Sequence, residues 1–378
     1  MTIRRIALDI SSLDFMAVGG QIRYATDLIR GLTREDRFDL LVVGSTPEPL
    51  EAIRDLVEDP AVPCRYVQFL RSTFPGGSYL DLMRLGALLN RENIALFHAL
   101  HTLIPIRARC VVVATAYDAM YELFDEYAEA RCSRPYRMHI WLMRMLATRV
   151  ICISEATATD VAAYWKLDPR RLDVVYPGVD QRRNSDVQPG DRTLDFPYIL
   201  SPFNLEPRKN LPVLLEAFSK IRPHHRDLRL VLFGKAAATG DRERDFEKLI
   251  ERLALRDSVI RTGVVPEEAL AGLYAGATIF VFPSLYEGFG YPVLEAMSAG
   301  TCVLARPVSA MAEVIGDAGA YADVTDSGAL ASELESLLRD GARRARLGTT
   351  ARERARSFSV EKMTQDTARI YDETLRSS

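Results

Sequence analysis

Apolar runs of three to six residues alternate with longer amphipathic stretches from one end of the chain to the other. Strand-like runs fall at residues 5–10, 40–43, 95–98, 111–115 and 150–153. A second series follows at 198–200, 228–233, 259–262, 279–282 and 302–305. Between them, apolar positions recur at helical spacing over 20–32, 80–90, 211–221, 242–255 and 270–276. Continuously apolar strands separated by helices predict parallel sheet covered on both faces. Two such series predict an α/β protein of two doubly wound, Rossmann-like domains, and a length of 378 residues suits two domains.

The break between the series is a polar stretch at 181–197, which contains Asn184, Pro189, Gly190 and Pro197 and reads as a linker. A last helical pattern covers about 360–375. The expected division is 1–183, 184–360 and a C-terminal helix at 361–378, for which packing back on the first domain and packing on the second both stay open. In doubly wound sheets ligands bind beyond the carboxyl ends of the strands. With two such domains, the cleft between them is the expected site, completed when the domains close over a ligand.

Composition narrows the class. The net charge of -3 mixes both signs, so no broad basic field points to nucleic acid. The five cysteines (Cys64, Cys110, Cys132, Cys152 and Cys302) are scattered, with no CxxC pair and no zinc spacing. They read as thiols of a reduced, cytoplasmic protein. The first residues run straight into a strand pattern without a signal-peptide core. No stretch approaches the roughly 20 apolar residues that span a bilayer.

Candidate chemistry gathers just after the strands. The run 279–282 is followed by Leu285-Tyr286-Glu287-Gly288-Phe289-Gly290-Tyr291, and a helix is predicted to open at Pro292 and end at Gly300. Gly288 and Gly290 allow close approach of the backbone, and the first N–H groups of the helix form an anion site that seats a diphosphate without a metal. Glu287 lies in the loop and Glu295 in the predicted first turn. A carboxylate accepts two hydrogen bonds from a vicinal diol, so a phosphate cradle with two such carboxylates suits a nucleotide-sugar. The same glutamates also read as helix N-terminal charges that stabilise the dipole. Arg208 and Lys209 follow the first strand of the second series, where two cations suit a negatively charged leaving group.

The segment Glu287-Gly288-Phe289-Gly290-Tyr291-Pro292-Val293-Leu294-Glu295 resembles the E-x7-E motif of retaining glycosyltransferases of the GT-B fold, particularly their family 4. The resemblance covers most of the chain. Phe203-Asn204-Leu205-Glu206-Pro207-Arg208-Lys209-Asn210 is similar to the family's phosphate-binding segment, and Val150-Ile151-Cys152-Ile153-Ser154-Glu155 to its strand-Ser-Glu signature. Val174-Val175-Tyr176-Pro177-Gly178-Val179-Asp180 resembles its exit from the first domain, and Gly19-Gly20-Gln21-Ile22-Arg23-Tyr24 its glycine-rich loop.

The resemblance implies a nucleoside-diphosphate sugar as substrate, no cofactor, no metal and retention of anomeric configuration. It implies that Lys209 meets the diphosphate with Arg208 beside it, Glu287 the hexose and Glu295 the ribose. Gly19, Gly20, Asn204, Val265, Gly288, Phe289, Gly290 and Tyr291 complete the implied donor site. Tyr117 stands where family members commonly carry histidine before Asp118; a tyrosine, with a pKa near 10, donates to a sugar hydroxyl but is a poor base. His98, His101, Asp118 and Ser154 fall on the implied acceptor side. The Leu-Glu-Pro-Arg-Lys-Asn stretch resembles mannosyltransferases that build surface polysaccharides, which favours mannose from GDP-mannose and a glycan, glycolipid or small-molecule acceptor.

Other readings stay open. A nucleotide-sugar epimerase, a glucan synthase and a catalytically silent sugar-binding protein all suit the scaffold. A nicotinamide-dependent oxidoreductase is disfavoured, since Gly19-Gly20 lacks the G-x-G-x-x-G fingerprint. His224-His225 reads as solvated. Residues 131–149 interleave Arg134, Arg137, Arg144 and Arg149 with Tyr136, Ile140, Trp141, Leu142, Met143 and Leu146. This predicts one basic amphipathic helix, either core-facing with a solvated cationic face or lying peripherally on the inner face of a membrane to meet a lipid-linked acceptor.

Overall fold

The computed structural model describes residues 3–11, 13, 19–69, 78–101, 103–180, 194–234 and 240–377. The chain divides into two compact units, Met1–Gly178 with Val360–Ser378, and Val179–Ser359. Most of the stretch read as a linker, residues 181–193, lies outside the described residues.

The sheet of unit 1 has seven strands: β1 Arg4–Asp9, β2 Phe38–Gly44, β3 Cys64–Gln68, β4 Leu96–Ala99, β5 Val111–Ala116, β6 Arg149–Cys152 and β7 Leu172–Val174. Their order is β3-β2-β1-β4-β5-β6-β7, and every pairing is parallel. Ile6, Leu8, Leu40, Val42, Phe97 and Val113 are buried, as expected of strands covered on both faces. Strand order reverses between β1 and β4, so the carboxyl ends of these two strands border the ligand-binding crevice typical of such sheets.

Unit 2 repeats the plan with six strands: β8 Tyr198–Pro202, β9 Arg229–Phe233, β10 Val259–Gly263, β11 Ile279–Phe282, β12 Val303–Ala305 and β13 Ala320–Tyr321. The order is β10-β9-β8-β11-β12-β13, again all parallel. Here the reversal lies between β8 and β11, which brings the loops carrying Arg208-Lys209 and Glu287 to the same crevice. Leu214, Leu215, Phe218, Ile221, Leu232 and Val281 lie in a core between the sheet and the helix Leu211–Ile221. The first and last residues of the unit adjoin, since the Val179 N–H donates to the Phe358 carbonyl at 3.0 Å and Val179 bridges to Ser359.

The predicted basic helix at 131–149 is not continuous. One helix ends at Cys132 and another, Arg134–Leu146, starts after Ser133, whose hydroxyl accepts the Tyr136 N–H at 3.4 Å. Ser133 is an N-cap in extended conformation, and Pro135 in the first turn keeps the earlier helix from running through. Arg149 belongs to β6, where its Nε donates to Asp173 of β7 at 2.8 Å.

The C-terminal helix, Val360–Arg376, belongs to unit 1 and packs on the helix Gly19–Leu32. Asp372 accepts from Arg4 at 3.3 Å and from Arg37 at 2.5 Å. The closest approach is at Gly31, where an added Cβ would lie 1.9 Å from Thr364 Oγ1 and 2.9 Å from Thr364 Cγ2. Gly31→Ala is therefore expected to destabilise unit 1 by about 1–3 kcal/mol, as overpacking does. Thr364→Ala in the same chain should recover part of the loss. Urea unfolding of the single and double variants checks this, and a Gly31→Ala chain as stable as the wild type would refute the tight packing.

Candidate functional site

In unit 2 the chain leaves β8 through Phe203 and Asn204, whose side-chain oxygen accepts the Glu206 N–H at 2.8 Å. That local turn leads into a 3-10 turn, Pro207–Lys209, ended by Asn210 in left-handed conformation with φ 57°. The loop after β11 docks onto it through the Leu285 N–H, which donates to the Arg208 carbonyl at 2.7 Å. Two loops more than 70 residues apart in sequence thus become one surface.

The cations converge on Glu287. Lys209 Nζ donates to Oε1 at 2.5 Å and Arg208 Nη1 to Oε2 at 3.2 Å, while Arg208 Nη2 lies 2.9 Å from Glu206. The Lys209 ammonium also sits 5.6 Å from the centre of the Phe282 ring. Burial alone pushes the Glu287 carboxyl up, but Lys209 and Arg208 outweigh it, so it ends below the usual carboxylate range. At neutral pH Glu287 is an anion held by two cations, unsuited to donate a proton. Its backbone carbonyl accepts from the Ser309 hydroxyl, which fixes the loop from the side of β12.

Gly290 has φ 93°, a conformation that favours glycine, and a Cβ there would press on the mobile end of Met311, 2.3 Å from its Cε. The following helix spans Tyr291–Ser298, opening one residue before Pro292. Glu295 consequently falls in the second turn rather than the first, which removes the reading of Glu295 as a charge on the first turn. Its Oε2 accepts from the hydroxyl of Tyr274 at 2.7 Å. Tyr274 is itself wedged edge-on between Phe233 and Phe280, so the carboxylate is braced by the core. Gly288 is buried, and Phe289 turns inward against Tyr291 and Phe358 at 5.5 and 6.1 Å. Val265 follows the edge strand β10. Unit 2 thus brings together Arg208, Lys209, Glu287 and the start of the helix that carries Glu295.

In unit 1 the predicted residues separate into two groups. His101, Tyr117 and Asp118 line a cavity of about 130 Å³ with Gln21, Tyr136 and Trp165. Tyr117 lies edge-on to Tyr24 at 5.7 Å and tilted against His101 at 6.2 Å. Burial, then the neighbouring Tyr24 and Asp9, push its phenol well above 10, so it stays protonated and acts only as a hydroxyl. Gly19 and Gly20 form the first residues of the helix Gly19–Leu32 rather than a loop, and residues 14–18 before them are outside the described set.

His98 and Ser154 do not join that cavity. His98 is fully buried, with Nδ1 2.6 Å from the Tyr371 hydroxyl and Nε2 2.7 Å from Thr115 Oγ1. Burial pushes its pKa down to about 3, so it is a neutral core residue clasping the C-terminal helix. Ser154 caps the helix Glu155–Tyr164, accepting the Thr157 N–H at 3.0 Å and donating to Thr157 Oγ1 at 3.0 Å. His225 meets Glu335 at 2.9 Å. Sequence reasoning missed Glu206, Tyr274 and Ser309. Each acts on a site residue through the fold, and only Glu206, two residues from Arg208, lay near enough to be sought.

Comparison with known proteins adds the following. Residues 18–183 match the family described as Glycosyltransferase Family 4, and residues 183–354 the one described as Glycosyl transferases group 1. The O-antigen chain mannosyltransferase B of Escherichia coli is 39% identical over 46% of this chain and 45% of that protein. The MMP alpha-(1->4)-mannosyltransferase of Mycolicibacterium hassiacum is 32% identical over 60% and 54%. The chain spans about half the length of the curated relatives it matches. The sucrose-phosphate synthase of Thermosynechococcus elongatus superposes with a TM-score of 0.79 at 22% identity, over 99% of this chain and 100% of that one. Anabaena HepE in complex with UDP-glucose gives 0.78 at 19% identity, over 98% and 99%. These two likenesses establish the GT-B fold.

Proposed function

The chain belongs to the glycosyltransferases described as family 4 and group 1, and from that premise we propose that it moves a hexose, mannose by preference, from a nucleoside-diphosphate sugar to a hydroxyl of a glycan, glycolipid or small-molecule acceptor. The observation that carries this reading is the meeting of Lys209 and Arg208 with Glu287 beside the N-terminus of the helix Tyr291–Ser298. The preference for mannose follows the mannosyltransferase names of two relatives.

The chemistry is a same-face displacement with retention. The bond between the sugar's anomeric carbon and the diphosphate oxygen breaks, and the acceptor oxygen bonds to that carbon on the same face. The acceptor's proton passes to the departing diphosphate oxygen. Lys209, Arg208 and the helix N–H groups stabilise the charge that develops on the leaving group, and this reading calls for no metal. Glu287, an anion tied to two cations, reads the hexose hydroxyls and keeps the cations aimed before the donor arrives. Glu295, braced by Tyr274, reads the ribose diol. Tyr117, protonated, donates to a sugar hydroxyl.

A thermal-shift panel of GDP, UDP and ADP with their sugars tests the donor. Only the matching ligand stabilises the fold, by about 2.7 kcal/mol at a concentration a hundred times its Kd. GDP-mannose is the expected winner. Incubation with the labelled sugar nucleotide should then move label to acceptor, or to water, without forming a new nucleotide-sugar. Epimerised donor in the absence of acceptor, or no stabilisation by any member, would overturn the reading.

A further inference from the structure

The helix Arg134–Leu146 has two unlike faces. His139, Leu142 and Met143 are buried, and Tyr136, which accepts from Trp165 Nε1 at 3.1 Å, lines the unit 1 cavity. The opposite face carries Arg134, Arg137, Trp141, Arg144 and Met145, a single stripe at helical spacing, and all five are exposed. Trp141 is 57% exposed, Met145 63% and Leu146 39%, more than large apolar side chains ordinarily show to water. The 13 residues hold no Asp or Glu, and among the described residues Arg134, Arg137 and Arg144 have no ion-pair partner. Both ends are fixed. Ser133 caps the start, and Arg171 seals the finish by donating to the carbonyls of Arg144 at 2.7 Å, Met143 at 3.3 Å and Ala147. The backbone of the stripe is therefore fixed before any contact, which leaves only side-chain ordering to be offset.

We propose that this stripe docks on an anionic lipid surface, with Trp141 and Met145 entering the boundary between headgroups and acyl chains. Arg134, Arg137 and Arg144 then lie against lipid phosphates. Interleaved arginine and tryptophan on a convex helix match such a boundary, which is apolar on one side and anionic on the other. A second copy of the chain is a poor occupant, because a two-fold contact would bring six arginines together without an acid. A helix about 20 Å long also presents far less than the roughly 800 Å² per partner of a stable protein interface. The proposal stands on this face alone and does not depend on the donor reading.

Vesicle flotation of the full chain tests it, comparing pure phosphatidylcholine with vesicles containing about 30% phosphatidylglycerol, a composition chosen to supply anionic charge. Binding to the anionic vesicles, with a blue shift of tryptophan fluorescence and weakening by salt, is expected. The triple variant R134Q/R137Q/R144Q should bind on the order of a hundredfold more weakly. Trp141→Ala should abolish the blue shift, both variants keeping the wild-type melting temperature. No flotation at low salt, or flotation unchanged in the triple variant, overturns the proposal. So does concentration-dependent self-association without lipid that the same variants abolish, because that assigns the face to a second copy.

Discussion

A Lys209→Ala enzyme is expected to fold normally and to lose about 2–4 kcal/mol of transition-state stabilisation, a thirty- to thousandfold fall in kcat/KM. The magnitude follows from what the ammonium does in the proposed reaction. Charge grows on the diphosphate as its bond to the sugar lengthens, so a fixed cation there is worth more in the transition state than in the bound donor. The loss should fall mainly on kcat, and the melting temperature should also fall, since Lys209 is one of the two cations that neutralise the buried Glu287 carboxylate. A second readout comes from Glu287. Lys209 is the strongest of the pulls that hold its carboxyl below the usual range, so without it the Glu287 pKa rises. Lys209→Arg keeps the charge but changes the shape, and should recover only part of the rate. A purified Ala variant with near-normal turnover would show that Lys209 plays no such part.

The second large effect is on stability and belongs to unit 1. His98 is neutral in the folded chain with a pKa of about 3, against 6.5 for an unburied imidazole. Between those values the unfolded chain binds a proton that the folded chain refuses, so the contribution is intact above pH 6.5 and lost as pH falls toward 3. The expected slope is about 1.4 kcal/mol per pH unit below the upper value. Denaturant unfolding of wild type and His98→Gln across pH 4–8 isolates it, because the difference between the two curves removes the other four histidines. The gap between the two should narrow as the medium becomes acidic. Parallel curves would mean that His98 is not buried neutral.

The same histidine shows where sequence reasoning stops. Seen in sequence, a histidine at the end of an apolar strand has the same signature whether it faces a ligand or a core hydroxyl. What decides for His98 is Tyr371, 273 positions away, arriving on the last helix. Ser154 behaves alike: the serine after β6 was visible, its use as a cap on Thr157 was not. The central strands were legible because burial on both faces leaves a continuous apolar run. The edges were not. β3 mixes polar and apolar residues with partial exposure, and β7 and β13 are only three and two residues long. For the candidate site, residue types and their places after β8 and β11 could be read directly. The bonds from Lys209 and Arg208 to Glu287 required the strand order that makes those loops neighbours. The stretch 131–149 misled because its charge pattern runs through Ser133 and Pro135, although the backbone cannot.

That late-arriving helix bears on how the protein is made. Most of unit 1 emerges from the ribosome before unit 2, yet the helix that covers His98 and engages Arg4 and Arg37 is translated only after all of unit 2. At about 5–20 residues per second, unit 1 waits roughly ten to forty seconds with that flank bare. Unit 2, by contrast, is one unbroken segment that can fold as soon as it clears the exit tunnel. The nascent chain can thus complete its second half before its first, and the flank of unit 1 that the last helix covers is the apolar surface left open in the meantime.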